Sequence, residues 1–192
     1  MQVFTTLAAA TALFSSAIYA RPLSNLLHIQ SKARTNCLTT ADADYLVNGF
    51  ALLINSTFST TLAADILDVN FIDYSDSIDF LAGIPLGDAT FTSLAGFEAG
   101  QGGQAPVPFQ VLSIDAVTCS NIAFRWLAYP GTGKYEVKGI NIAYTAQTGS
   151  TSNGANGWQI QTNFVEFNVA AWDLDIGGSC TAPPPPSKAR RS

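Results

Sequence analysis

The sequence predicts an α+β domain, with helices in its first half and a sheet of long antiparallel strands in its second. Three observations lead there. Apolar residues recur at helical spacing from Leu46 to Ile54. After Pro108 the apolar period changes to two. Breaks rich in Gly, Ser and Asn then divide the second half into runs of strand length.

The chain opens with MQVFTTLAAATALFSSAIYA, which is apolar, free of acidic residues and rich in small residues toward its end. That pattern predicts a signal peptide over 1–20, cut after Ala20, although its n-region has no Lys or Arg. Thr5, Thr6, Thr11, Ser15 and Ser16 dilute the run, which argues against an anchor of ~20 apolar residues. No later segment is long and apolar enough to span a bilayer, so a secreted, extracellular protein is expected. Residues 21–36 are polar and basic, and read equally as a ragged leader or as a propeptide cut near Lys32-Ala33-Arg34.

Thr39 to Asp42 supply an N-cap and a first-turn acid for the first helix, whose apolar face is Leu46, Val47, Phe50, Leu53 and Ile54. Asn55-Ser56-Thr57 ends it and is the chain's single N-glycosylation sequon, so Asn55 is an expected glycan site. A second short helix is expected over 59–67. Residues 69–74 read as a strand, with 77–80 as a short continuation or partner. Gly83, Pro85 and Gly87 mark a loop. A third helix is expected over 90–99, ended by the Gly-rich run 100–104. Strands follow over 109–118, 122–129, 135–147 and 158–172. The tail, 181–192, holds Pro183 to Pro186 and reads as disordered or polyproline.

Charge is unevenly distributed. All 14 acidic residues lie between Asp42 and Asp175, where the only bases are Arg125, Lys134 and Lys138. Such a domain repels phosphate backbones and anionic headgroups, so neither nucleic acid nor, after signal cleavage, a membrane is an expected partner. The three cysteines are Cys37, Cys119 and Cys180. In an oxidising compartment one pair is expected to bridge, and Cys37 with Cys180, which bracket the folded region, is the favoured pair.

Several stretches together resemble the secreted NTF2-like proteins of filamentous fungi. They are CLTTADADYLVNGFALL (37–53), FIDYSDSIDFLAG (71–83), FEAGQGGQ (97–104), CSNIAFRW (119–126), VKGINI (137–142), WQIQTNFVEFN (158–168) and GGSC (177–180). They cover nearly all of 37–180. The resemblance implies a cone: three N-terminal helices packed in a strongly curved, mostly antiparallel sheet, with a mostly apolar pocket between them. It implies no one activity, because the wider superfamily holds dehydratases, isomerases and cyclases. The expectation is a domain that holds a small, mostly apolar molecule. One alternative is an isomerase, dehydratase or cyclase using carboxylate and tyrosine chemistry. Another is an interaction or effector protein whose cone is filled by its own side chains.

The only histidine, His28, lies in the leader, so the domain has no Ser-His-Asp triad, Cys-His pair or His-based metal site. No metal and no cofactor is expected. The densest polar cluster is Asp73-Tyr74-Ser75-Asp76-Ser77, framed by Phe71, Ile72, Ile78 and Phe80. It reads as a strand corner capped by Asp and Ser, or as a site in which Asp73 or Tyr74 moves a proton. Adjacent strand residues point opposite ways, so at most one of those two faces the cone. Arg125 sits in an apolar strand, and Glu166 is its candidate partner, as a structural pair across the sheet or as a clamp in the pocket. Glu98, Gln101, Asn141 and Asn168 are the other polar groups inside apolar patterns, each a candidate pocket residue or sheet-edge group. Trp126, Trp158 and Trp172 read as core.

Overall fold

The computed structural model describes residues 37–148, 150 and 152–181. The expected signal peptide and leader, and the tail beyond residue 181, lie outside the described residues.

Helix α1 (Thr40–Asn55) starts on a capping box. The Thr39 hydroxyl accepts from the Asp42 N–H, and the Asp42 carboxylate accepts from the Thr39 N–H in return. Leu46, Val47, Phe50 and Leu53 form its buried face, as the helical spacing predicts. Helix α2 (Thr60–Ile66) runs directly into strand β1 (Leu67–Tyr74).

The chain then departs from the expected strand over 77–80 and forms helix α3 (Asp76–Ala82). The Ser75 hydroxyl caps it by accepting from the Ile78 N–H, and Gly83 closes it at φ 69°, a left-handed conformation that glycine adopts without strain. Helix α4 (Leu94–Gln101) starts on Ser93.

Strands β2 (Phe109–Val117), β3 (Asn121–Ala128), β4 (Val137–Gln147) and β5 (Trp158–Phe167) form the antiparallel meander that the period-two pattern predicts. The sheet order is β1-β5-β4-β3-β2, and β1 joins parallel to β5. The expected long last strand stops early, because Asn168 caps helix α5 (Val169–Asp175) by accepting from the Ala171 N–H. Helix α1 lies over the sheet against β2 and β5, and α5 packs on α3. Between helices and sheet sits the core, from Phe71 and Ile66 to Phe124 and Ile160.

The disulfide joins Cys37 to Cys119, not Cys37 to Cys180. The physical reason is the course of β3. Its start carries the turn with Cys119, whose carbonyl accepts from the Leu38 N–H beside α1. Its end leads to the loop that Asp175 of α5 ties down, by accepting from Thr132 Oγ1 and the Lys134 N–H. The segment after α5 therefore leaves from the opposite end of the sheet, and Cys180 is an exposed free thiol. Closing a loop of 82 residues contributes about 4.5 kcal/mol through the unfolded chain.

Candidate functional site

Strand alternation decides which side chains reach the interior. Along β4, Val137, Gly139, Asn141, Ala143 and Thr145 point inward, and the residues between them face solvent. Strand β5 begins with Trp158 and Ile160 inward, but a bulge beside Thr162 shifts its parity. Beyond it, Asn163 and Val165 are buried while Phe164 and Glu166 are exposed. Asn163 thereby pairs with Asp73 of β1, on the inner face of the sheet.

These residues form a hydrogen-bonded chain. Trp126 Nε1 donates to Asn141 Oδ1 at 2.6 Å, Asn141 Nδ2 to Asn163 Oδ1 at 2.9 Å, and Asn163 Nδ2 to Asp73 Oδ1 at 2.7 Å. Gly139 makes the first link possible, since a Cβ there would collide with the Trp126 ring. The indole N–H can only donate, so it fixes the orientation of both amides down the chain. Asp73 Oδ1 is therefore always an acceptor, and a proton on Asp73 sits on Oδ2.

Asp73 lines a cavity of about 290 Å³ between the helices and the sheet. Two aromatic groups form much of its wall. Phe91 and Phe97 pack edge to face at 5.5 Å, with Phe50 beside them. Phe109, Trp126, Phe167 and Trp172 form a second run of close ring contacts. Asn141, Gln101 and Gln104 supply amides, and among the described residues Asp73 is the one ionisable side chain on the lining. It is 2% exposed. No side-chain donor among the described residues reaches its Oδ2. Burial pushes the Asp73 carboxyl up to about 7, against the pull of hydrogen bonds from Asn163 and the Tyr74 N–H, and the nearby charges of Asp79 and Glu166 add to the rise. Asp79 is also buried, with Oδ1 accepting from Thr90 and Oδ2 left without a partner.

A family model described as "NTF2-like domain" matches residues 36–179. This chain belongs to the NTF2-like domain family. Solved structures share the fold at low identity. One is a hypothetical protein with a ketosteroid isomerase-like fold from Catenulispora acidiphila, in complex with trimethylamine. It is 9% identical, with TM-score 0.51 over 70% of this chain and 93% of that one. Another is wild-type IdmH, a candidate polyketide cyclase from Streptomyces antibioticus. It is 12% identical, with TM-score 0.51 over 71% of this chain and 98% of that one. No curated protein matches the sequence.

Within this NTF2-like domain the sequence-predicted residues divide. Asp73, Asn141 and Gln101 line the cavity. Tyr74 points the other way and stacks on Phe164 at 4.9 Å, so only one of the adjacent pair faces the cone. Glu98 is half-buried on α4 and does not line the cavity, and Asn168 is spent as the cap of α5. The expected Arg125–Glu166 pair does not form. Ile140 of β4 stands between them in register, so they lie two strand spacings apart, about 10 Å. Arg125 is on the exposed face and makes a bidentate pair with Asp115, at 2.7 and 2.8 Å. Glu166 instead caps α3, accepting from the Asp76 and Ser77 N–H groups and from the Ser77 hydroxyl. Sequence reasoning passed over Asn163. Its signal is an amide inside the apolar run 158–167, readable only if the parity shift of β5 is known.

Proposed function

We propose that the domain holds a small, mostly apolar molecule in the cone cavity and meets it with Asp73. One observation carries this reading: an aromatic-walled cavity of about 290 Å³ on which a single carboxyl opens, one oxygen held and the other unbonded by side chains. A site of this kind, apolar with a few placed polar groups, is how proteins hold small ligands. The open cavity weighs against a cone filled by its own side chains. Small-molecule occupancy in a neighbour of the same fold lends it support.

A second reading is favoured by the state of Asp73. A carboxyl raised to about 7 is matched to accept or release a proton near neutral pH, which suits an isomerase, dehydratase or cyclase. The N-terminal pattern, the exposed sequon at Asn55 and the Cys37–Cys119 bridge support a secreted glycoprotein, and the quoted motifs support a fungal source.

Native mass spectrometry of protein purified from its own culture medium is the test. A retained small molecule is expected in the wild type. It should be lost in Ala82→Trp, which puts a large ring on the exposed rim of the cavity without disturbing the buried core. Retention of the same mass by the blocked variant would overturn the assignment to this cavity.

A further inference from the structure

We infer that the ligand is an organic cation, an amine or quaternary ammonium carried on a small apolar body. This rests on the cavity's being a ligand site and names the chemistry it selects. The walls come first. Phe91 and Phe97 of one aromatic group, and Phe109, Trp126, Phe167 and Trp172 of the other, line the cavity. Ring faces are negative and attract a cation, and a desolvated cation gains most from them.

The carboxyl comes second. Asp73 has no base opposite it on the lining, and its Oδ1 is permanently occupied by Asn163. No other side chain donates to the carboxyl, so a ligand in the cavity can meet it. A carboxylate facing an apolar space without a countercharge is costly, and a bound cation removes that cost.

The surroundings come third. The charged groups near enough to act on Asp73 are the carboxylates of Asp79 on α3 and, from the outer face of β5, Glu166, while β4 and α4 present the neutral amides of Asn141 and Gln101. The site is therefore a well of negative potential inside a domain with fourteen acids and three bases, which draws cations toward it. A neutral hydrogen-bond acceptor would need Asp73 protonated and would bind better at low pH. A cation needs it ionised and binds better at high pH.

Choline and its uncharged carbon isostere 3,3-dimethyl-1-butanol are the probes, titrated into the mature protein at pH 5.5 and pH 8 with Trp126 and Trp172 fluorescence as readout. At pH 8 choline should bind about tenfold or more tighter than the isostere, and the preference should shrink by about tenfold at pH 5.5. The isostere should show no gain at pH 8 over pH 5.5. Asp73→Asn should lower the preference at pH 8 to the level the wild type shows at pH 5.5. The pH comparison in the wild type stands even if that variant folds poorly. Equal affinity of the two probes at pH 8 would overturn the cation, and a preference at pH 8 that Asp73→Asn does not lower would overturn its pairing with Asp73, while either result leaves the cavity reading in place. No response to either probe would overturn both.

Discussion

The two faces of one sheet treat their charged residues in opposite ways. On the outer face, Arg125 meets Asp115 through two hydrogen bonds, and Glu166 meets the first turn of α3. Each charge there has a partner and a view of water. On the inner face, one strand from Glu166, Asp73 has a neutral amide on one oxygen and no countercharge. Tyr74 and Asp73 are adjacent, as are Trp126 and Arg125, and each pair is split between the faces. The difference teaches that sequence neighbourhood says little about electrostatic role in a sheet. A charge that is paired where it stands is structural, and a buried carboxyl that lines a cavity without a countercharge is available for a ligand.

The largest break in this comparison comes from neutralising Asp73. Between about pH 4 and pH 7 the folded chain keeps a proton on Asp73 that the unfolded chain has released. Stability from this group is complete below the unfolded value of 3.8, falls through that window, and is gone above about 7. The interval corresponds to a loss on the order of 4 kcal/mol. Asp73→Asn keeps an acceptor for Asn163 and removes the titration. Thermal melts should show the variant more stable than wild type at pH 8 and similar to it at pH 4. Parallel pH profiles for the two proteins would mean that Asp73 is ionised at no cost.

A smaller effect sharpens the role of the relay. Asn163→Leu keeps the branched shape but leaves Asp73 Oδ1 and the Asn141 amide without their bonds, which should cost about 2–3 kcal/mol or more at neutral pH. The Asn163 bond is the larger of two hydrogen bonds that hold the Asp73 carboxyl down against burial. Its loss should therefore move the Asp73 titration upward, readable as the carboxyl ¹³C shift against pH. An unmoved titration would mean the relay orients nothing.

Much of this fold was legible. The Thr39–Asp42 capping box, the face of α1 and the strict alternation of β4 follow directly from residue spacing. The Ser75 cap and Gly83 stop of α3 were present in the sequence too, but Ile78 and Phe80 imitate strand alternation over so short a run. The site was half legible. Asp73 stood out because acid, phenol and apolar frame coincide there. Its partner did not, because the bulge in β5 puts Asn163, rather than the residues in phase with Trp158, on the inner face. Hydrogen bonds between residues 90 apart, and the choice of Cys119 over Cys180, depend on which end of β3 each segment meets. Local pattern carries no information about that.

The smallest effect belongs to the outer face, and it tests whether that face is as inert as its pairing implies. Arg125 and Asp115 are both well exposed, with side-chain accessibilities of 52% and 39%, so solvent and salt screen the pair. Arg125→Met should leave the melting temperature indistinguishable from wild type in physiological salt. Glu166→Ala should cost about 1 kcal/mol, because it removes the acceptor for two N–H groups at the start of α3. If Arg125 and Glu166 never meet, the double variant should melt with Glu166→Ala alone. Sites about 10 Å apart with no shared partner behave additively. A double variant clearly more stable than the sum of its parts would put the two side chains in contact across Ile140. That result would move Arg125 from a screened surface pair to a group that shares the charge environment of α3 and, through Glu166, of Asp73.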